Sequence, residues 1–339
     1  MLTNYTDIAV TDALFNADRR ELLPRALELC AFQYAHNPLY RQYADALGVD
    51  PGRLTGIAGI PFLPISFFKT QAVKTTDYVP EAVFASSGTT GMVTSRHEIK
   101  DLALYRADFR AGFRRFYGNI TDWCVIGLLP SYLERSNSSL VVMVDDLIRE
   151  SGHPDSGFYL YDHATLYAVL QRLEARGQRT LLIGVTFALL DFAEQYSLSL
   201  RHTVVMETGG MKGRRRELTR PELHAFLCAR LGVDTIHAEY GMTELLSQAY
   251  SSGNGLFTCP PWMRVLVRME DDPLEVRDQG EGILNIVDLA NRWSCGFLAT
   301  EDVGRVYPDG RFEVSGRVDN SDMRGCSLLV AEPPVGGSS

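Results

Sequence analysis

The sequence predicts an α/β protein with a helical N-terminal region, a parallel-rich sheet flanked by helices, and a strand-rich C-terminal part. Three observations indicate this class. The 339 residues are 45% hydrophobic, which is enough for a large core. Short apolar runs alternate with helix-like stretches in the middle of the chain. Strand and turn patterns dominate after about residue 255.

The first 80 residues are expected to be helical. Asn16 or Asp18 can cap a helix that runs to about His36, because Asn37-Pro38 follows. Cys30 recurs at helical spacing with Leu23, Leu27 and Tyr34, which predicts that it lies on the buried face of a helix.

From about residue 81 the pattern is that of strands alternating with helices. The apolar runs span residues 82–85, 123–129, 180–185 and 203–206, and a helix-like stretch spans 166–176. Ligands of parallel sheets bind beyond the carboxyl ends of the strands. Loops at residues 86–91, 208–210 and 240–244 each follow a predicted strand. We therefore expect all three loops to open onto one edge of the sheet.

After residue 255 the sequence predicts β structure. The candidate strands are residues 264–269, 282–288, 303–307 and 311–315, and Pro308-Asp309-Gly310 predicts a hairpin between the last two. These patterns divide the chain into a helical region (1–80), an α/β core (81–250), a β-rich subdomain (251–318) and a C-terminal segment (319–339) with a disordered Gly/Ser tail.

Charge and cysteine usage exclude several classes of protein. The net charge of −9 argues against broad binding to nucleic acid or anionic membranes. No apolar run approaches the ~18 residues of a membrane span, and the first residues do not resemble a secretion signal, so we expect a cytosolic protein. The six cysteines are scattered without a Cys-x-x-Cys pair, which predicts free thiols rather than a zinc site or a disulfide framework.

One loop has the composition of a phosphate-binding turn. It consists of Ser86, Ser87, Gly88, Thr89, Thr90 and Gly91. Its glycines permit backbone conformations that turn N–H groups toward an anion, and its four hydroxyls add donors. It is not a Walker A loop, because no lysine follows until Lys100. The alternative interpretation is an ordinary Gly/Ser/Thr turn.

Later segments also combine unusual polar groups. Residues 237–244 place the aromatic ring of Tyr240 and the hydroxyl of Thr243 beside Gly241 and the carboxylate of Glu244. Asp302 lies at a predicted strand end. Each residue has a simpler interpretation: Tyr240 as core, Glu244 as a helix-start acid and Asp302 as a turn former.

Residues 316–326 hold two arginines, several acids and the thiol of Cys326. The simpler interpretation is a solvated, charged loop. Arg317 opens this segment with a Gly-Arg-x-Asp pattern, and Arg324 stands seven residues later in an Arg-Gly pair.

Taken in order, these segments resemble the superfamily of adenylate-forming enzymes, which includes acyl-CoA synthetases, firefly-type luciferases and peptide-synthetase adenylation domains. Its hallmarks are a Ser/Thr/Gly phosphate loop, a Tyr-Gly-x-Thr-Glu segment, a late aspartate and a Gly-Arg-x-Asp hinge followed by Arg-Gly. All four occur here in that order. The resemblance implies the large-domain fold of this superfamily.

The resemblance extends to the acyl-protein synthetases of the LuxE type, the fatty-acid activating component of bacterial bioluminescence. Residues 60–69, 129–138, 207–213 and 319–326 are similar to segments of that family, and the likeness covers one domain of about residues 1–330. It implies activation of a carboxylic acid, a fatty acid in that family, by ATP and Mg²⁺. The acyl group would then pass to an enzyme cysteine and on to a partner protein, such as a reductase.

The resemblance also implies roles for the phosphate side of the site. The 86–91 loop would contact the β- and γ-phosphates of ATP, Thr243 the α-phosphate, and Glu244 the Mg²⁺ ion. These roles suit a reaction in which charge develops between two anions, because such a site must supply cations and aimed donors.

On the nucleoside side, the resemblance places adenine against Tyr240 and Gly241 and the ribose between Asp302 and Arg317. A carboxylate can accept from both ribose hydroxyls, and a guanidinium is a rigid donor fork. The resemblance also places Gly209 and Gly210 at the border of the adenine and acyl pocket, where the lack of side chains lets a ligand approach the backbone.

The chain departs from its relatives after the hinge. Relatives carry a mobile C-terminal domain with a lysine that assists adenylation, whereas about twenty residues follow the hinge here. We expect Lys212, or one of the arginines at 214–216, to replace that lysine; the alternative is a solvated basic run. Cys326 follows Arg324 by two residues, and the resemblance makes it the acyl carrier, because a neighbouring guanidinium favours the reactive thiolate.

Two other functions remain open from the sequence. The enzyme could pass its acyl group directly to CoA or to a carrier-protein thiol without using Cys326. Alternatively, the chain could be a non-catalytic binding or scaffold subunit with the same fold. Neither the acyl chain nor the oligomeric state can be read from the residues.

Overall fold

The computed structural model describes residues 13–86, 93–129, 137–209 and 218–318. Eight α-helices have both ends within these residues: α1 (Leu22–His36), α2 (Pro38–Ala46), α3 (Phe67–Thr70), α4 (Leu102–Tyr117), α5 (Ser139–Ser151), α6 (His163–Ala175), α7 (Thr186–Gln195) and α8 (Arg220–Leu231).

The described residues also contain fifteen strands. They are β1 (Leu63–Pro64), β2 (Ala82–Ala85), β3 (Arg96–Ile99), β4 (Cys124–Leu128), β5 (Gly157–Phe158), β6 (Thr180–Gly184), β7 (Thr203–Glu207), β8 (His237–Tyr240), β9 (Ala249–Ser251), β10 (Phe257–Thr258), β11 (Met263–Arg268), β12 (Val276–Arg277), β13 (Gly280–Asp288), β14 (Phe297–Val306) and β15 (Phe312–Arg317).

The N-terminal helix ends where the sequence predicts. Asp18 caps a short 3₁₀ turn that leads into α1, and α1 ends at His36. Cys30 is buried as expected, but Leu23 is 38% exposed, and the buried face instead includes Gln33. The Gln33 amide donates to the carbonyls of residues 291 and 292 at 3.0 Å each, so a distant loop buries this polar side chain. Hydropathy spacing alone cannot reveal such a contact.

Thirteen of the described strands form one mixed sheet, in the order β12-β11-β13-β14-β15-β10-β9-β8-β7-β6-β4-β5, with β1 paired to β14. The half from β5 to β8 is parallel, and β4 and β6 are buried along their whole length, as strands covered by helices on both faces should be. From β8 to β12 the pairing is antiparallel. The predicted α/β class with a strand-rich C-terminal part is therefore confirmed, as is the hairpin between β14 and β15.

The parallel strands bring two of the three predicted loops to one edge. β7 and β8 are neighbours, with Glu207 paired to Ala238, so the loops after Glu207 and Tyr240 leave the sheet on the same side. The expectation for the loop at 86–91 is wrong in one respect. It does not follow a strand of this sheet, because β2 pairs antiparallel with β3 in a separate two-stranded sheet. Residues 86–95, which connect β2 to β3, are too few to join two parallel strands, because a parallel connection needs a crossover of about a dozen residues or more.

The sheet continues from β8 and β9 to β10 and β15 without a break at position 250, and the domain boundaries given above remain predictions. The five cysteines in the described part of the chain are free thiols, in agreement with the sequence. Within the same residues, no helix is both long enough and apolar enough to cross a membrane.

Candidate active site

The segment after β8 is held from two sides. The Leu246 and Ser247 amides donate to Asp288 Oδ2 at 2.9 and 3.0 Å, which ties the segment to the end of β13. The Asn291 side chain donates to the Glu244 carbonyl at 2.7 Å. These contacts fix the backbone on which the predicted phosphate and metal ligands stand.

His97 on β3 connects this segment to the β2–β3 hairpin. Its Nδ1 lies 2.8 Å from the carbonyl oxygen of Thr243, and because a carbonyl can only accept, the proton is on Nδ1. The ring is 1% exposed, and burial lowers the pKa of His97 to about 4. His97 is thus a neutral structural donor at pH 7.

Ser86, the first residue of the predicted phosphate loop, is joined to Glu244 through Ser95. The Ser86 amide donates to the Ser95 carbonyl at 3.0 Å, and the Ser95 amide donates to Ser86 Oγ at 2.9 Å. Burial raises the pKa of Glu244, and a hydrogen bond with the Ser95 side chain offsets part of this rise. Ser95 therefore connects Ser86 to the carboxylate of the Tyr-Gly-x-Thr-Glu segment.

The described residues contain no cluster of three or more His, Cys, Asp or Glu side chains suited to a metal ion. Glu244 supplies one buried carboxylate. This fits Mg²⁺ rather than a metal held wholly by protein, because Mg²⁺ is usually bound by one or two carboxylates together with substrate phosphates and water.

The predicted ribose ligands face each other across the β14–β15 hairpin. Asp302 is paired in register with Arg317, and their side chains approach to 3.7 Å. The Tyr240 hydroxyl donates to Asp302 Oδ2 at 2.7 Å. Burial raises the pKa of Asp302, while the Tyr240 hydrogen bond and the Arg317 charge lower it in part. The predicted adenine and ribose ligands thus bind one another, a contact that motif order does not reveal.

The Tyr240 ring is 9% exposed and packs against two phenylalanines. Its centroid lies 5.3 Å from that of Phe312 and 5.8 Å from that of Phe257. The simple interpretation of Tyr240 as a core residue therefore describes most of its surface, and its stacking on adenine stays a prediction.

Glu207, for which the sequence predicts no role, organises the turn after β7. Gly209 has a φ of +75°, and its amide donates to Glu207 Oε2 at 2.7 Å. The other carboxylate oxygen lies 3.3 Å from Arg220 Nε. Burial would raise the pKa of Glu207, but His224, the Arg220 charge and the Gly209 amide together lower it. The sequence signal for Glu207 is its position, because it is an acidic residue at the end of the apolar run of β7.

Gly209, Asp302 and Arg317 line one cleft with a volume of about 1360 Å³, which α8 and β15 enclose. This volume exceeds the ~300–1000 Å³ of typical small-molecule sites. Thr243 and Glu244 are not among the residues that line it. The structure thus groups the predicted ribose ligands in this cleft and the predicted phosphate and metal ligands beside the β2–β3 hairpin, with Tyr240 and Gly241 connecting them.

Several predicted site residues lie outside the described residues. They are Ser87, Gly88, Thr89, Thr90, Gly91, Gly210, Lys212, Arg324 and Cys326. Their roles remain predictions.

No protein-family model matches the chain, and neither does any of the curated proteins. Solved structures do. The first is a 2-hydroxyisobutyryl-CoA ligase in an open conformation, in complex with 2-HIB-AMP and CoA. It is 14% identical, with a TM-score of 0.62 over 93% of this chain and 76% of the ligase.

The second is ATP-bound MatB from Rhodopseudomonas palustris, which is 14% identical, with a TM-score of 0.52 over 72% of this chain and 50% of that protein. A third is an ATP-bound chimera of the same MatB with BxBclM, which is 15% identical, with a TM-score of 0.53 over 72% of this chain and 49% of the chimera. This chain therefore spans about half of the two MatB proteins. This chain shares the fold of these solved structures.

Proposed function

We propose that this protein is an ATP-dependent acid ligase that activates a carboxylic acid as its acyl adenylate and then transfers the acyl group to a thiol. The observation that carries this proposal is the junction of Ser86, Ser95 and Glu244, together with the His97–Thr243 hydrogen bond. Ser86, the first residue of the hydroxyl-rich loop, is joined there to the acidic segment through Ser95. The shared fold supports the proposal.

The reaction has two steps. A substrate carboxylate oxygen attacks the α-phosphorus of ATP, and pyrophosphate leaves; a thiolate then attacks the acyl carbon, and AMP leaves. The first step concentrates negative charge at phosphorus, so aimed hydroxyl and amide donors contribute most there. Thr243 would donate to the α-phosphate, and Asp302 would orient the ribose. Mg²⁺ held by Glu244 would neutralise charge on the phosphates.

We propose Cys326 as the first acyl acceptor, as in the LuxE-type proteins, with a reductase or carrier protein as the final one. The competing acceptor is CoA, which the similarity to CoA ligases favours. Intact-mass measurement after incubation with ATP, Mg²⁺ and the acid separates the two, because only the first predicts a covalent acyl adduct on the chain. The matched variants are Cys326→Ser, which should lose the adduct, and Cys228→Ser, which should keep it.

Pyrophosphate release across a panel of fatty, aryl and short acids tests the activation step itself. The proposal expects acid-dependent release. Absence of release with every acid would favour the non-catalytic alternative.

A further inference from the structure

One arginine joins the two walls of the large cleft. Arg220 is the first residue of α8 and lines the cleft. Its Nε donates to Glu207 Oε1, at the end of β7, at 3.3 Å. Its Nη1 donates to the Val314 carbonyl, in β15, at 2.9 Å. A single guanidinium therefore ties the Gly209 turn, which Glu207 holds, to the strand that carries Arg317.

The Val314 carbonyl lies just before an irregularity in β15. The register of the β14–β15 pair shifts between positions 303 and 304, which makes Ser315 an extra residue in β15. Such a β-bulge bends its strand and redirects the side chains near it. Two residues later, Arg317 is paired with Asp302. The hydrogen bond from Arg220 thus fixes β15 at the point that sets the direction of the predicted ribose ligands.

Arg220 also contacts the strand on the other side of β15. Within the described residues, β10 pairs with β15 only between Phe257 and Phe312. The Arg220 guanidinium lies 5.4 Å from the centroid of the Phe257 ring, within cation–π range. Phe257 in turn stacks on Phe312, with ring centroids 5.3 Å apart. Arg220 therefore connects β10 with β15 beyond the last position at which these strands pair.

The carboxylate that Arg220 binds is almost fully buried. The Glu207 side chain is 4% exposed, whereas that of Arg220 is 32% exposed. The stem of the arginine is confined as well, because a Cβ atom built on Gly255 would lie 2.9 Å from Arg220 Cδ. Removing one partner of a buried ion pair is strongly destabilising, since it leaves the other charge uncompensated. A variant of Arg220 therefore changes stability as well as geometry, and the two effects need separate measurements.

We propose, building on the acid ligase function, that Arg220 is a positioning residue for the nucleotide, which sets the distance between the Gly209 turn and the strand that carries Arg317. It aligns the predicted ribose ligands before ATP binds and does not itself touch the reacting atoms. Preorganised groups bind a ligand more strongly, because they need no ordering when it arrives. Loss of Arg220 therefore weakens recognition of the ribose hydroxyls in particular.

The test measures the dissociation constants of AMP and of its dideoxy analogue, which lacks both ribose hydroxyls. Their ratio reports recognition of the hydroxyls without any turnover, and a purely structural role of Arg220 would not change it. We expect the wild type to bind AMP at least about 10-fold more tightly than the analogue, and Arg220→Met to reduce this ratio about 3- to 10-fold. Arg230→Met is the matched control, because Arg230 lies on the same helix and donates to the carbonyls of residues 193 and 194, which do not line the cleft. It should leave the ratio unchanged.

Combining Glu207→Gln with Arg220→Met separates positioning from stability. The double variant removes the buried charge together with its partner, so it should unfold at a higher urea concentration than Arg220→Met, while its ratio should stay low. A ratio near 1 in the wild type would overturn the inference and leave the ligase function intact. So would an unchanged ratio in Arg220→Met, or a return to the wild-type ratio in the double variant. Absence of both AMP binding and acid-dependent pyrophosphate release in the wild type would instead overturn the ligase function, and the inference with it.

Discussion

Replacing Tyr240 with Phe tests the contact between the predicted adenine and ribose ligands. The change removes the hydroxyl that donates to Asp302 Oδ2 at 2.7 Å and leaves the packed ring in place. Hydrogen bonds to charged groups are worth about 1.5–3 kcal/mol. The remaining partner, Arg317, lies 3.7 Å away and is 56% exposed, so solvent weakens its contribution. We therefore expect the free energy of unfolding to fall by about 2 kcal/mol.

Urea unfolding of the wild type and of Tyr240→Phe measures this loss. The matched control is Tyr307→Phe on the same hairpin, where the ring contacts Arg305, and it should change stability by less than about 0.5 kcal/mol. Because the lost donor stabilises the ionised carboxylate, the destabilisation should shrink at acidic pH, where Asp302 is protonated. If Asp302 holds the ribose, KM for ATP in pyrophosphate release should also rise. Equal stabilities of Tyr240→Phe and Tyr307→Phe would refute the reasoning.

Three further predictions concern buried titrating groups and the proposed catalytic lysine. Burial and the nearby Asp288 raise the pKa of Asp108 above its unfolded value, so the native state binds the extra proton and wild-type stability should fall as pH rises. Asp108→Asn should flatten this dependence of the free energy of unfolding on pH, measured from about pH 5 to 8. An unchanged slope would contradict the prediction. Burial lowers the pKa of His97 to about 4, so acidification from about pH 6.5 should destabilise the wild type more than it destabilises His97→Gln. Parallel curves of unfolding free energy against pH would show that His97 does not cause the loss of stability in acid. Lys212→Met should slow acid-dependent pyrophosphate release about 10²- to 10³-fold if Lys212 assists adenylation. Lys100→Met is the control variant. Full activity of Lys212→Met would show that Lys212 does not have that role.

The parallel half of the fold was predictable because its strands are continuously apolar. The runs at 123–129, 180–185 and 203–206 became β4, β6 and β7, with ends within about two residues. The apolar run at 82–85 led to the wrong expectation that β2 belongs to the large sheet. An apolar run does not reveal which strand it pairs with, and β2 pairs with β3 in a separate hairpin. Gln33 lies on a buried face for the same kind of reason, because a loop more than 250 residues away satisfies its amide.

The candidate site was predictable as a set of segments and less so as a set of contacts. Motif order predicts that the 86–91 loop and the 240–244 segment act together; among the described residues, Ser95 contacts both Ser86 and Glu244. Glu207 could not be assigned a role from the sequence, since its importance depends on the Gly209 amide and Arg220 converging in three dimensions.

The most direct test of the account is the exchange of labelled pyrophosphate into ATP by the wild type and by Glu244→Gln. The account predicts exchange that requires both Mg²⁺ and a carboxylic acid, and a loss of about 10²-fold or more in Glu244→Gln without a matching loss of stability. Exchange of equal rate in the two proteins would contradict the proposal that Glu244 and the hydroxyl-rich loop bind one ATP molecule.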